Sequence, residues 1–132
     1  TVRLASAGHP PPLVVRDGRA EPVSAPGTLL GIYPDVTLTE VTFDLNHGET
    51  MVLYTDGVTE ARGAGELYGM DRLARAVVAV PCGGADKIAD QILADVDAFQ
   101  CGQQLDDIAI LAVEAVDRTD AIGTTNATGA GS

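Results

Sequence analysis

Three aspartates beside two apolar segments are the residues of this sequence best suited to chemistry. Asp56 follows the apolar run 51–54 after one threonine and precedes Gly57, whereas Asp106 and Asp107 come directly before the apolar run 108–113. Carboxylate oxygens without histidine or cysteine ligands favour Mg²⁺ or Mn²⁺ over zinc or copper. Water held by such a cation is suited to attack on a phosphate ester. The pattern therefore indicates a hard-cation site.

Each acidic segment also has a simpler interpretation. Asp56 with Gly57 is the pattern of a turn whose carboxylate is solvated. Asp106 and Asp107 can equally form a solvated acidic loop. Two adjacent like charges before a buried strand are unfavourable unless something neutralises them, which favours the metal interpretation. From these residues alone, both interpretations stay open.

The elements that would position these acids are two buried strands. Residues 51–54 are all apolar, as in a strand covered on both faces, and 108–113 have the same character. The end of one antiparallel strand and the start of its neighbour lie at the same edge of a sheet, about 4.8 Å apart. We therefore expect the three carboxylates to lie close together. Residues 36–55 are predicted to form an antiparallel hairpin, with a bulge near 39–40, that delivers Asp56 to this edge.

The rest of the chain predicts further strands and two helices. Predicted strands cover residues 2–5, 13–16 and 19–23, with a short buried run at 29–32. Apolar residues at helical spacing predict helices over 70–78 and 85–96. Residues 100–105 are predicted to be a loop. Residues 117–132 have no periodicity and are expected to be a disordered tail after a domain of residues 1–116.

Size, charge and cysteine content restrict the class of protein. The chain has 132 residues, 45% of them hydrophobic, which suits one small domain at most. A net charge of −11 argues against binding to nucleic acid or an anionic membrane. Cys82 and Cys101 lack zinc-ligand spacing and are expected to be free thiols in a reducing cytoplasm. Thr1 opens directly in strand-like sequence, which suggests a piece of a longer protein.

Five motifs occur in one order along residues 1 to about 116. They are Ala5-Ser6-Ala7-Gly8-His9-Pro10-Pro11-Pro12-Leu13, Leu29-Leu30-Gly31-Ile32, Leu53-Tyr54-Thr55-Asp56-Gly57-Val58-Thr59-Glu60-Ala61, Tyr68-Gly69-Met70-Asp71-Arg72-Leu73 and Asp106-Asp107-Ile108-Ala109-Ile110-Leu111. In this order they resemble the metal-dependent protein serine/threonine phosphatases (PPM, or type 2C), specifically their SpoIIE/RsbU-type branch. The resemblance covers only the C-terminal half of that family's domain.

The resemblance implies an α+β fold, the α-β-β-α sandwich, present here as a partial domain of antiparallel strands plus two helices. It implies a dinuclear Mn²⁺ or Mg²⁺ site with Asp56 and Asp106 as ligands. Asp107 would support them, and Gly57 would allow close approach to the metal shell. A metal-bound water, with no catalytic side chain, would attack phosphorus. The family's upstream half supplies further ligands, so residues 1–132 alone are expected to bind metal weakly and to lack useful activity.

The implied function is hydrolysis of phosphoserine or phosphothreonine on a regulatory protein, of the anti-anti-sigma type by branch resemblance. The alternative is a non-catalytic phosphatase-like module that binds a partner protein. Exposed edges and apolar faces would favour self-association or pairing with the missing N-terminal half. His9 is either a general acid or a turn residue, and the turn is favoured. Glu60 and Arg62 either orient substrate or form a surface ion pair, and the ion pair is favoured.

Overall fold

The computed structural model describes residues 1–80, 84–101 and 106–117, which contain eight strands and three helices. The strands are β1 (Val2–Ala5), β2 (Leu13–Arg16), β3 (Arg19–Pro22), β4 (Glu40–Phe43), β5 (Thr50–Tyr54), β6 (Arg62–Gly63), β7 (Glu66–Leu67) and β8 (Ile110–Glu114). The helices are α1 (Asp56–Thr59), α2 (Gly69–Val78) and α3 (Gly84–Gln100). The combination of helices with antiparallel strands agrees with the predicted α+β fold class.

A four-stranded antiparallel sheet in the order β3-β2-β5-β8 forms the centre of the structure. β5 lies inside this sheet, where Val52 is opposite Leu13 on one side and Ala112 on the other. Tyr54, the last residue of β5, is opposite Ile110, the first residue of β8. The predicted arrangement is therefore confirmed: the end of one strand and the start of the other lie at the same sheet edge.

The two longer helices cover one face of this sheet. Their apolar positions lie at helical spacing, so that Leu73 and Val77 of α2 and Ile92 and Val96 of α3 point into one fully buried core with Val52. Both helices were expected from this spacing. The second continues beyond its predicted end at residue 96 as far as Gln100.

The opposite face of the sheet is apolar but open at β5 and β8. Met51 is paired with Val113 and Leu53 with Leu111, and Leu111 and Val113 are 60% and 40% exposed. We call these four residues the open face. Val14, opposite Met51 on β2, is buried, so the exposure is confined to the β5–β8 side. Apolar side chains concentrated on one surface mark a place where another element packs.

The predicted hairpin over 36–55 is wrong. β4 pairs with β1 in a separate two-stranded sheet, with Val2 opposite Phe43, whereas β5 pairs with β2 and β8. An ion pair of 3.2 Å between Arg3 and Glu40 lies on this sheet. An alternating pattern shows that a segment is a strand and which face is apolar, but it does not name the partner strand.

The apolar run 29–32 was expected to be buried, and it is not. Leu30 and Ile32 are 64% and 62% exposed. They lie in a loop whose two ends are held together by the bridge between Gly27 and Leu38. The error has a simple physical cause. An apolar segment gains free energy when another element covers it, but its own sequence does not ensure that such an element is present.

Some predictions concern residues outside the described part. These are residues 102–105 of the loop predicted over 100–105, the thiol of Cys82 and the tail from residue 118. Gln100, the first residue of that predicted loop, is instead the last residue of α3. Cys101 is free and exposed, as expected. None of the helices in the described segments has the length and apolar character needed to cross a membrane.

Candidate metal centre

Asp56 stands where β5 leaves the sheet. Thr55 is the last extended residue, and the short helix α1 begins at Asp56 itself. The Asp56 side chain is exposed, and its Oδ1 accepts a hydrogen bond from the backbone N–H of Gly57 at 3.1 Å. The buried strand thus fixes the backbone while the carboxylate stays open to solvent.

Asp106 and Asp107 are both exposed and lie just before β8. The backbone N–H of Asp107 donates to Oδ1 of Asp106 at 2.8 Å. This repeats the arrangement at Asp56, where the carboxylate also accepts the N–H of the following residue. A backbone donor of this kind orients each carboxylate.

Thr55 ties the two acidic segments together through three hydrogen bonds, which we call the Thr55 clasp. Its backbone N–H donates to the carbonyl oxygen of Ala109 at 3.0 Å. Its hydroxyl accepts the N–H of Ala109 at 3.0 Å and donates to the carbonyl oxygen of Asp107 at 2.9 Å. The side chain thus extends the strand pairing beyond the last residues of β5 and β8.

Gly57 is buried against the segment that carries the other two acids. A Cβ built on Gly57 would overlap the carbonyl oxygen of Asp107 and would lie 3.0 Å from its carbonyl carbon and 3.5 Å from Cβ of Asp106. No larger residue fits without moving backbone. The segments that carry Asp56 and Asp106–Asp107 therefore lie against each other, as the strand pairing predicted. The closeness of the three carboxylates and the roles of Asp56, Gly57, Asp106 and Asp107 in metal binding stay predictions.

The donors at this edge fit part of a hard-cation site. Asp56 and Asp106 supply carboxylate oxygens, the ligand type that Mg²⁺ and Mn²⁺ use, commonly one or two per ion together with water. Within residues 1–80, 84–101 and 106–117, no group of three or more His, Cys, Asp and Glu side chains is close enough together to hold a metal ion. Asp56 and Asp106 are thus suitable donors for part of such a site.

His9, Glu60 and Arg62 were also candidates from the sequence. The ring of His9 is exposed and lies 3.0 Å from the carbonyl oxygen of Pro10, in its own loop, which agrees with the turn interpretation. The ring also lines a small cavity of about 180 Å³ with Thr55.

The favoured ion pair between Glu60 and Arg62 is wrong, because no such pair within 4 Å occurs in the described part of the chain.

The role of Thr55 was not predicted from the sequence, in which Thr55 was only one residue of a motif. A threonine just before a helix predicts a capping side chain. Here the position is the N-cap of α1, yet the hydroxyl makes no cap hydrogen bond. The sequence alone offers no signal that this hydroxyl bonds to a neighbouring strand instead.

Comparison with known proteins places this arrangement. Residues 1–116 match the family model described as Stage II sporulation protein E (SpoIIE). The chain belongs to the SpoIIE family. A curated relative, Protein IcfG of Synechocystis sp. (strain ATCC 27184 / PCC 6803 / Kazusa), is 30% identical over 113 residues, which are 82% of this chain and 17% of that protein. The predicted membership of the SpoIIE/RsbU-type branch of the PPM phosphatases is confirmed.

Solved structures share the fold of this SpoIIE-family chain. The phosphatase domain of SpoIIE from Bacillus subtilis, presoaked with Mn, gives a TM-score of 0.68 at 21% identity, over 88% of this chain and 50% of that one. The RsbU and RsbW domains of a Mycobacterium tuberculosis protein give 0.67 at 27%, over 86% and 32%. The SiaA-PP2C domain of Pseudomonas aeruginosa gives 0.65 at 25%, over 86% and 46%. The chain thus has the PP2C phosphatase fold as a partial domain.

Proposed function

We propose that this chain is the C-terminal half of a metal-dependent protein serine/threonine phosphatase domain. Residues 1–116 are the domain portion and 117–132 the tail. The observation that carries the proposal is the close approach at Gly57, which leaves 3.5 Å between its hypothetical Cβ and Cβ of Asp106. Two strand ends that each carry an aspartate are packed together with no room for a side chain between them.

In this proposal Asp56 and Asp106 hold Mn²⁺ or Mg²⁺, and Asp107 and Gly57 support them. The bound ions supply Lewis acidity and an activated water for hydrolysis of a phosphate ester. The chain's own contribution is orientation. The backbone N–H groups of Gly57 and Asp107 each donate to one carboxylate, and the clasp keeps the two segments in register.

The complete site needs a second segment. The chain spans 17% of its curated relative and half of the Bacillus subtilis phosphatase domain. We infer that an N-terminal half supplies the remaining metal ligands and packs on the open face, where Leu111 and Val113 are exposed. Residues 1–132 alone are then weak in metal binding and inactive.

The substrate class is a phosphoprotein carrying phosphoserine or phosphothreonine. A relative that contains both RsbU and RsbW domains supports a regulatory protein partner, and we propose an anti-anti-sigma type substrate. The net charge of −11 disfavours nucleic acid and anionic membranes as partners. The proposed location is the cytoplasm.

The test uses the complete gene product, the longest polypeptide that its gene encodes. Hydrolysis of p-nitrophenyl phosphate is measured with added Mn²⁺ and with chelator. We expect Mn²⁺-dependent turnover that Asp56→Asn abolishes and that Asp90→Asn, an exposed change on α3, leaves unchanged. Equal rates for Asp56→Asn and the wild type would refute the role of Asp56. A wild type that binds a partner protein but hydrolyses nothing would favour the non-catalytic module.

A further inference from the structure

We propose that Thr55 is a positioning residue whose hydroxyl sets the separation between Asp56 and Asp106 and thereby the affinity for the metal. The proposal rests on the proposed phosphatase function of the same site. Thr55 touches neither metal nor substrate in this account. It acts through the backbone of Asp107, to which its hydroxyl donates at 2.9 Å.

Thr55 does not make the side-chain hydrogen bond that is usual at its position. A threonine at an N-cap normally accepts a hydrogen bond from an N–H in the first turn of the helix. At α1 this bond is absent, although Thr55 occupies the N-cap. The hydroxyl is used across the sheet, where it both donates to Asp107 and accepts from Ala109.

Both neighbours of Asp56 lie against the same atom, the carbonyl oxygen of Asp107. The hydroxyl of Thr55 donates to the carbonyl oxygen of Asp107, and a Cβ on Gly57 would overlap that same oxygen. The hydrogen bond from Thr55 attracts the Asp107 carbonyl group, and the absence of a side chain at Gly57 leaves room for it. Together they fix how closely the Asp107 backbone approaches the segment that carries Asp56. Asp106 is the adjacent residue, and its backbone moves with that carbonyl group.

The regular strand pairing stops before it reaches the acidic residues. The pairing of β5 with β8 ends at Tyr54 and Ile110, and one more backbone bond joins Thr55 to Ala109. Beyond that bond, the Thr55 hydroxyl is what reaches Asp107. Two carboxylates that share a cation repel each other before it binds, so a brace at this point preserves their spacing.

The experiment compares two substitutions in the complete gene product. Thr55→Val keeps the shape of the side chain and removes both hydroxyl bonds, whereas Thr55→Ser keeps the hydroxyl. Mn²⁺ affinity is measured by isothermal titration calorimetry, and hydrolysis is measured over a Mn²⁺ series. We expect Thr55→Val to weaken Mn²⁺ binding by about 10- to 100-fold, as losses of groups that orient metal ligands do. Thr55→Ser should restore most of the affinity, and saturating Mn²⁺ should restore most of the turnover of Thr55→Val.

Tyr68→Phe is the matched control. It also removes one hydroxyl hydrogen bond, from Tyr68 to Asp95, which joins the start of α2 to α3. It should lower the melting temperature without changing Mn²⁺ affinity, which separates a positioning role from a general loss of stability. Wild-type Mn²⁺ affinity in Thr55→Val, or equal losses in the valine and serine variants, would overturn the role of Thr55 and leave the phosphatase proposal intact. If the wild type bound no Mn²⁺, both proposals would fail.

Discussion

The hydroxyl of Thr55 donates a hydrogen bond to the carbonyl oxygen of Asp107 across 2.9 Å, and this bond joins the end of β5 to the segment before β8. The two residues are 52 positions apart in the sequence. Antiparallel pairing of β5 with β8 brings them together, with Asp56 and Asp106 as their immediate neighbours. The proposed metal centre is therefore a consequence of strand pairing.

Replacing Gly57 by alanine should separate the two acidic segments. The new Cβ would overlap the carbonyl oxygen of Asp107, so backbone must move, at a cost of about 1–3 kcal/mol in the free energy of unfolding. In the complete gene product, the same shift should weaken Mn²⁺ binding. Urea unfolding and calorimetric titration measure the two effects.

Gly63→Ala provides the control for this substitution. Its Cβ would overlap the carbonyl oxygen of Phe99, a similar backbone clash between β6 and the end of α3. It should lower stability by a comparable amount and leave Mn²⁺ affinity unchanged. If both alanine variants lowered Mn²⁺ affinity equally, the close approach at Gly57 would have no specific role in the metal site.

A substitution on the open face should change the free energy of unfolding by different amounts in the isolated chain and in the complete gene product. Leu111 is 60% exposed, so Leu111→Thr should change the stability of residues 1–132 by no more than about 0.5 kcal/mol. If an N-terminal half covers this face, the same substitution should destabilise the complete protein by about 2 kcal/mol or more. Chemical denaturation of the two proteins measures the difference.

Leu93, which is 44% exposed on α3, gives the comparison position. Leu93→Gln should have a small effect in both proteins, because the inferred N-terminal half packs on the opposite side of the sheet. A small effect of Leu111→Thr in the complete protein would contradict the proposed covering of the open face.

Tyr68 should make stability depend on pH at the alkaline end. The pKa of the Tyr68 hydroxyl is raised well above its ordinary value of 10.0. Burial is the largest cause, and the hydrogen bond to Asp95 is the second. The folded state therefore favours the protonated form, and this contribution is complete below pH 10.0 and is lost as the pH rises towards the pKa of the folded state. Unfolding free energies measured at neutral pH and at increasing pH above 10.0 should fall less steeply for Tyr68→Phe than for the wild type.

Asp95→Asn separates the two causes of this shift. It removes the charged acceptor but leaves Tyr68 buried, so its alkaline slope should lie between those of the wild type and Tyr68→Phe. Identical slopes for the wild type and Tyr68→Phe would show that another group controls the alkaline transition.

Local periodicity was enough to predict the parts of the fold that carry the site. Leu73 and Val77 at helical spacing predicted α2, and the apolar run 51–54 predicted β5. That the segments carrying Asp56 and Asp106 lie side by side followed from the geometry of antiparallel neighbours. These features depend on short-range pattern and on one general rule of sheet pairing.

Other features depended on long-range choices that no local pattern contains. β4 alternates as a strand should, but its pairing with β1 rather than β5 is set by the three-dimensional arrangement of the sheets. Ile32 is apolar yet exposed, because burial requires a covering element. The role of Thr55 was missed because a threonine hydroxyl can bond to several kinds of partner. Only the folded structure shows that this one bonds across the sheet.

A double-mutant cycle on Mn²⁺ affinity tests whether Asp56 and Asp106 serve one metal site. The complete gene product is compared with Asp56→Asn, Asp106→Asn and the double variant by calorimetric titration. Residues that act as a unit are strongly non-additive. We predict that each single variant loses nearly all of the affinity and that the double variant loses little more. Independent, additive losses, or wild-type affinity in either single variant, would contradict the account.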